Sequence, residues 1–138
     1  MFVRTAIALL MIASAAPAYA QAVPAKKSTV TAAMPTPDDR ARQWLVLVDD
    51  KNYAQSWSDA SRSFQGKRKA DYWARDEAAK REPLGAVASR DLKSIDLGRA
   101  NVAVIHYDTV FAHKAQATEI VTLAFENGGW SVTGYSLN

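Results

Sequence analysis

Apolar positions along the first half of the chain recur at helical spacing. Ala41, Trp44, Leu45 and Val48 fall on one face of a helix. Thr36 suits its N-cap, Pro37 its first position, and Asp38 and Asp39 the positive end of its dipole. The polar run Asp49 to Asn52 interrupts the pattern. Tyr53, Trp57, Ala60 and Phe64 then predict a second helix, closed by Gly66. Ala70 to Glu82 predicts a third, with Asp76/Lys80 and Glu77/Arg81 as i,i+4 ion pairs and Pro83 to Gly85 as its stop.

From Ala86 the period changes to two, with β-branched and aromatic enrichment. The first strand is irregular: Leu92 is out of phase with Ile95 and Leu97, which predicts a bulge near Lys93 and Ser94. A turn at Gly98 to Asn101 leads to strands over Val102–His113, Ala117–Glu126 and Trp130–Leu137. Asn127-Gly128 is a two-residue hairpin signal that sets Glu126 against Gly129, Phe125 against Trp130, Leu123 against Val132 and Val121 against Gly134. A three-residue loop at Lys114 to Gln116 sets Phe111 against Glu119 and Tyr107 against Leu123. One face then carries Ile105, Tyr107, Phe111, Val121, Leu123, Phe125, Trp130 and Val132 and meets Trp44, Tyr53, Trp57 and Phe64. Helices followed by strands define an α+β fold, with N-terminal helices packed on a curved antiparallel sheet of about four strands.

The N-terminus reads as an address. Arg4 precedes an apolar run to Ala16, Pro17 breaks it, and Ala18-Tyr19-Ala20 supplies a small-x-small cleavage pattern. The run is about half the roughly 20 residues of a membrane span. The expected division is a signal peptide over 1–20, a flexible Ala/Pro/Lys/Thr tether over 21–36 and a single α+β domain over 37–138. The expected location is periplasmic or secreted, with no transmembrane segment in the mature chain. The 138 residues contain no Cys and two His, and a formal charge of +3. Absent Cys excludes disulfides, thiolate metal sites and a Cys nucleophile. No metal and no cofactor are expected.

The stretches ARQWLVLVDDKNYAQSWSDAS, REPLGAVASR, YDTVF and EIVTLAFENGGWSVTGY resemble the bacterial exported family catalogued as domain of unknown function 4019. The resemblance spans Arg40 to Leu137. Its pieces are Trp44 with Asp49 and Tyr53, Ser56-Trp57, Leu84-Gly85 with Arg90, then Phe111, Glu119 and Gly128 to Tyr135. It implies a small exported domain of unknown activity. The order of elements is similar to the nuclear-transport-factor-2-like (NTF2-like) cone, or its cystatin-like relatives.

Candidate chemistry centres on Glu119, expected at the mouth of the apolar face, with His113 diagonal to it and Tyr107 deeper. Arg90 on the first strand is placed to pair with Glu119. A carboxylate, an imidazole and a phenol converging on a pocket suit ligand binding or proton transfer; a structural Arg90–Glu119 pair is the competing reading. His106 and Asp108 share the opposite face and read as solvent-facing. Gly66 to Lys69, with Arg62, Tyr72 and Trp73, forms a basic-aromatic stretch. Export makes nucleic acid an unexpected partner, leaving an anionic surface as its fitting contact and Trp73 for the core. Ser56, Ser58, Ser61 and Ser63 lie outside any nucleophile-elbow motif.

The outer sheet face, with Val104, Val110, Ile120 and Tyr135, is apolar for a face meeting water, which points to a protein partner or a homodimer. The leading expectation is a noncatalytic binding or interaction module for an unidentified protein or small ligand. The alternative is a small-molecule isomerase or hydrolase-like enzyme using the concave pocket, with Glu119 as base.

Overall fold

The computed structural model describes residues 32–99 and 101–138. The expected signal peptide, and the expected tether as far as residue 31, lie outside the described residues. Helix α1 spans Pro37–Asp49. Its capping box is complete: Thr36 Oγ1 accepts from the Asp39 N–H at 3.1 Å, and Asp39 Oδ2 accepts from the Thr36 N–H at 3.0 Å. The expected second helix is two, α2 over Tyr53–Asp59 and α3 over Arg62–Lys67. The chain becomes extended at Ala60, the Ser61 N–H donates to the Val132 carbonyl of the last strand, and the Ser61 hydroxyl caps α3. Gly66 therefore lies inside α3 rather than ending a helix. Helix α4, Ala70–Arg81, is followed by a 3-10 turn over Glu82–Leu84.

Four strands follow, β1 (Val87–Arg99), β2 (Val102–Phe111), β3 (Lys114–Glu126) and β4 (Gly129–Leu137), in one antiparallel sheet of order β1-β2-β3-β4. The protein is thus α+β, helices on one face of a meander. The expected bulge in β1 is present between Leu92 and Ser94.

Two registers differ from expectation. The β2–β3 turn falls at Ala112 and His113, so Tyr107 faces Glu119 and Ile105 faces Val121. Two backbone bonds pin that turn: the Ala112 N–H to the Ala86 carbonyl and the His113 N–H to the Leu84 carbonyl, both 2.8 Å. The shift is even, so every side chain keeps its face, but Glu119 moves from the expected mouth to full burial. In the β3–β4 hairpin the expected pairs Glu126–Gly129, Phe125–Trp130 and Leu123–Val132 form. An irregularity near Thr133 then advances β4 by one residue, and Val121 faces Tyr135 instead of Gly134. Tyr135, expected outside, is buried within the core, and Leu137 packs against it. The outer apolar patch therefore reduces to Val102, Val104 and Ile120, half-buried, and exposed Val110.

The core centres on Trp44 and Trp73, both fully buried, with Phe64 and Tyr135 around them. Trp44 stacks at 6.0, 5.8 and 5.5 Å from Phe64, Trp73 and Tyr135. Ser56 joins the two indoles, its carbonyl accepting from Trp44 at 2.8 Å and its hydroxyl from Trp73 at 3.0 Å. Trp57 and Trp130 are only half-buried at the core's edge. Arg68 leans over the Phe64 and Trp73 rings, so the basic stretch after Gly66 is not a continuous charged patch.

Candidate functional site

Four charged side chains from four elements meet under the helices. Glu119, from the middle of β3, is wholly buried. Its Oε2 accepts from Arg90 Nε at 2.6 Å and from the Thr109 hydroxyl at 2.7 Å. Its Oε1 accepts from the Tyr135 hydroxyl at 2.7 Å and from Arg81 Nη1 at 3.4 Å. Four donors fill the roughly four lone-pair positions of a carboxylate. Both guanidinium groups then reach Asp49 at the end of α1. Arg90 grips it with Nη1 at 2.7 Å and Nη2 at 2.9 Å, and Arg81 Nη2 donates at 2.5 Å. Two arginines and two carboxylates make the cluster neutral.

The local structure explains each placement. Asp49 alone would be disfavoured at the negative end of α1, and Arg81 is favoured at the same end of α4; their ion pair resolves the first and uses the second. The Arg81 guanidinium also lies 5.4 Å over the Phe111 ring. Burial and the hydrogen bonds to Asp49 and Glu119 act on Arg90 in opposite senses, and the hydrogen bonds prevail, holding its guanidinium more firmly charged than usual. Burial, then the neighbouring Glu119 charge, pushes the Tyr135 phenol well above its ordinary range.

Of the expected site residues, Arg90 and Glu119 pair directly. Tyr107 lies across the ladder from Glu119, yet its hydroxyl turns away and donates to Asp38 Oδ1 at 2.6 Å. Arg42 stacks 5.1 Å over the Tyr107 ring while holding Asp38 at 3.0 Å. Burial, then the bond to Asp38, raises the Tyr107 phenol. Tyr107 is thus a strut between β2 and the start of α1. His113 is exposed in the β2–β3 turn beside Gly85, and it does not join Glu119. The arrangement expected at Glu119, His113 and Tyr107 is therefore corrected to Glu119, Arg90, Arg81 and Asp49, with Thr109 and Tyr135.

Sequence reading missed Arg81 because its spacing to Glu77 matched a surface pair. Arg81 instead turns to the sheet, and only Asp76–Lys80 forms as expected, at 2.7 Å. Period two carried unbroken through Thr133 places Tyr135 on the outer face, and only the irregularity there turns it inward. Asp49 reads in the sequence only as the start of the polar break after the first helix and as one residue of the family resemblance.

Two recesses flank these groups. A cavity of about 190 Å³ beside Asp49 and Arg81 is also bordered by Lys51, Tyr53, Glu82 and Gly85. A wider groove of about 540 Å³ is lined by Asp91, Lys93, Asp108, Val110, Gln116 and Thr118. There Asp91 faces Asp108 across the ladder, and Lys93 reaches Asp108 at 3.2 Å. Among the described residues, no group of three or more His, Asp or Glu is placed to hold a metal ion, and no helix is long and apolar enough to cross a membrane.

The fold is shared with solved structures of the NTF2-like type. A provisionally assigned NTF2-like transpeptidase of Campylobacter jejuni superposes with a TM-score of 0.51 at 20% identity, over 71% of this chain and 97% of that one. At that identity the likeness is one of fold. The profile of the family described as "Protein of unknown function (DUF4019)" matches residues 40–135, and the chain belongs to that family. Among curated proteins none matches it.

Proposed function

We propose that the protein is an exported, noncatalytic binding module, built on an NTF2-like scaffold and serving an unidentified protein or small ligand. The observation that carries this reading is the saturation of Glu119. Its four acceptor positions are taken by Arg90, Arg81, Thr109 and Tyr135. A general base needs a free lone pair within reach of a substrate proton, so Glu119 serves the fold. Acyl transfer, suggested by the neighbour's description, needs an activated nucleophile. Here Ser56 and Ser61 are buried, and their hydroxyls are engaged with the Tyr53 carbonyl and Trp73, and with the Phe64 N–H and Ser63. Neither histidine hydrogen-bonds to a serine among the described residues.

Glu119→Gln tests the reading. As a structural residue, its conversion replaces an acceptor of charged donors by an amide, and the melting temperature drops clearly. A variant that melts like wild type overturns the reading and restores Glu119 as a reactive group. Export has its own test: protein recovered from the periplasm or medium of its host should begin at or near Gln21. A full-length chain confined to the cytoplasm refutes export.

A further inference from the structure

We infer that the cavity between the end of α1 and the 3-10 turn binds a small zwitterion of the α-amino-acid type. This rests on the reading of the protein as a binding module and names a ligand class for one recess. Asp49 and Arg81, which line the cavity, already pair with each other. Around them stand three groups without partners among the described residues. Lys51 and Glu82 are exposed at the rim, and neither enters an ion pair within 4.0 Å. Tyr53 is 8% exposed, and its hydroxyl makes no hydrogen bond among the described residues. Its phenol is raised chiefly by burial, with only through-space charges besides.

One cation, one anion and one unpartnered hydroxyl donor are what a zwitterion meets. The ligand carboxylate takes the Lys51 ammonium and the Tyr53 O–H, and its ammonium takes the Glu82 carboxylate. A simple anion or cation would satisfy one rim charge and face the other.

The size agrees. A cavity of about 190 Å³ is well above the roughly 10–15 Å³ that admits a single water and suits a compact ligand. The backbone is also shaped for the site: Lys51 sits at φ 60 directly after the C-cap of α1, a position that ordinarily takes glycine. Gly85, which also lines the cavity, occupies φ 74.

Calorimetry and amide-resonance titration of the mature chain with glycine, L-alanine and D-alanine test the inference, with acetate and methylammonium as half-ligands. The expected result is saturable binding of at least one amino acid, tighter than either half-ligand, with shifts centred on Lys51, Tyr53 and Gly85. Tyr53→Phe should weaken binding about tenfold or more, the size of a hydrogen bond to a charged group. It should still fold, because the lost hydroxyl has no partner among the described residues. Lys51→Gly should weaken binding similarly while folding at least as well. No saturable binding, equal affinity for acetate and alanine, or unchanged affinity in Tyr53→Phe each overturns the assignment. Those outcomes leave the module reading intact, since it fails separately, on the melting of Glu119→Gln.

Discussion

Arg90 Nε lies 2.6 Å from Glu119 Oε2, joining β1 to β3 across the intervening strand β2. The same guanidinium turns its other edge to Asp49, so one arginine ties two strands of the sheet to the first helix. Arg81 makes the matching link from α4. The helical layer is thereby fixed to the sheet by direction-specific bonds as well as by apolar contact. Buried charge clusters of this kind add little net stability over apolar packing, but they are costly to break.

Arg90→Met should therefore destabilise the domain by about 3 kcal/mol or more, the usual cost of leaving a buried charge uncompensated. Adding Glu119→Met should recover part of that loss and not all of it. The hydroxyls of Thr109 and Tyr135 would lose their acceptor, and buried donors without partners cost about 1–3 kcal/mol each. Denaturant unfolding of the two single variants and the double gives the coupling. Full recovery in the double variant would show that the hydroxyls find other acceptors.

Trp73 and Trp130 should separate sharply. Trp73 is fully buried and donates to Ser56, whereas Trp130 is half-buried at the edge of the core against Phe125. Trp73→Ala should cost about 3–5 kcal/mol, and Trp130→Ala clearly less. Equal losses in thermal melts would contradict this placement of the core.

Gly85→Ala adds a side chain where none fits. Its Cβ would lie 2.9 Å from the His113 ring and 3.0 Å from Ala112 Cβ, at φ 74. Backbone strain of that kind costs about 1–3 kcal/mol, before any displacement of the β2–β3 turn. Chemical denaturation checks the loss, and His113 resonances should move with it.

Glu77 should shape the pH dependence. It is buried, one carboxylate oxygen has no partner, and Lys80 is 3.7 Å away. Burial raises its pKa above 4.5 against the opposing charges of Lys80, Arg81 and Arg68, with Asp76 reinforcing burial. The folded protein thus keeps a proton that the unfolded chain releases, so stability falls as pH rises from about 4.5 toward the raised value. Glu77→Gln removes this loss. Its melting temperature relative to wild type should rise between pH 4 and pH 7; parallel curves would show that Glu77 is compensated in the fold.

Much of this molecule was legible in the order of its residues. Thr36, Pro37 and Asp39 specify the start of α1 through local bonds. Asn127-Gly128 sets a hairpin whose nearest pairs follow from the two-residue turn. The change of period at Ala86 marks the passage from helices to sheet, and the phase slip in β1 marks its bulge. These features depend on interactions within a few residues, which sequence displays directly. The Arg90–Glu119 pair was accessible too, because a charged residue on an apolar face needs a partner. What tertiary structure alone decided is how far each strand slides and where long side chains end. The backbone of Leu84 and Ala86 anchors the β2–β3 turn and carries Glu119 into the interior. An irregularity near Thr133 turns Tyr135 inward, and Arg81 leaves a helix partner for acids far along the chain. Alternation and helical spacing fix the face a residue occupies, but register and side-chain reach depend on contacts between distant segments, which form only when the layers close.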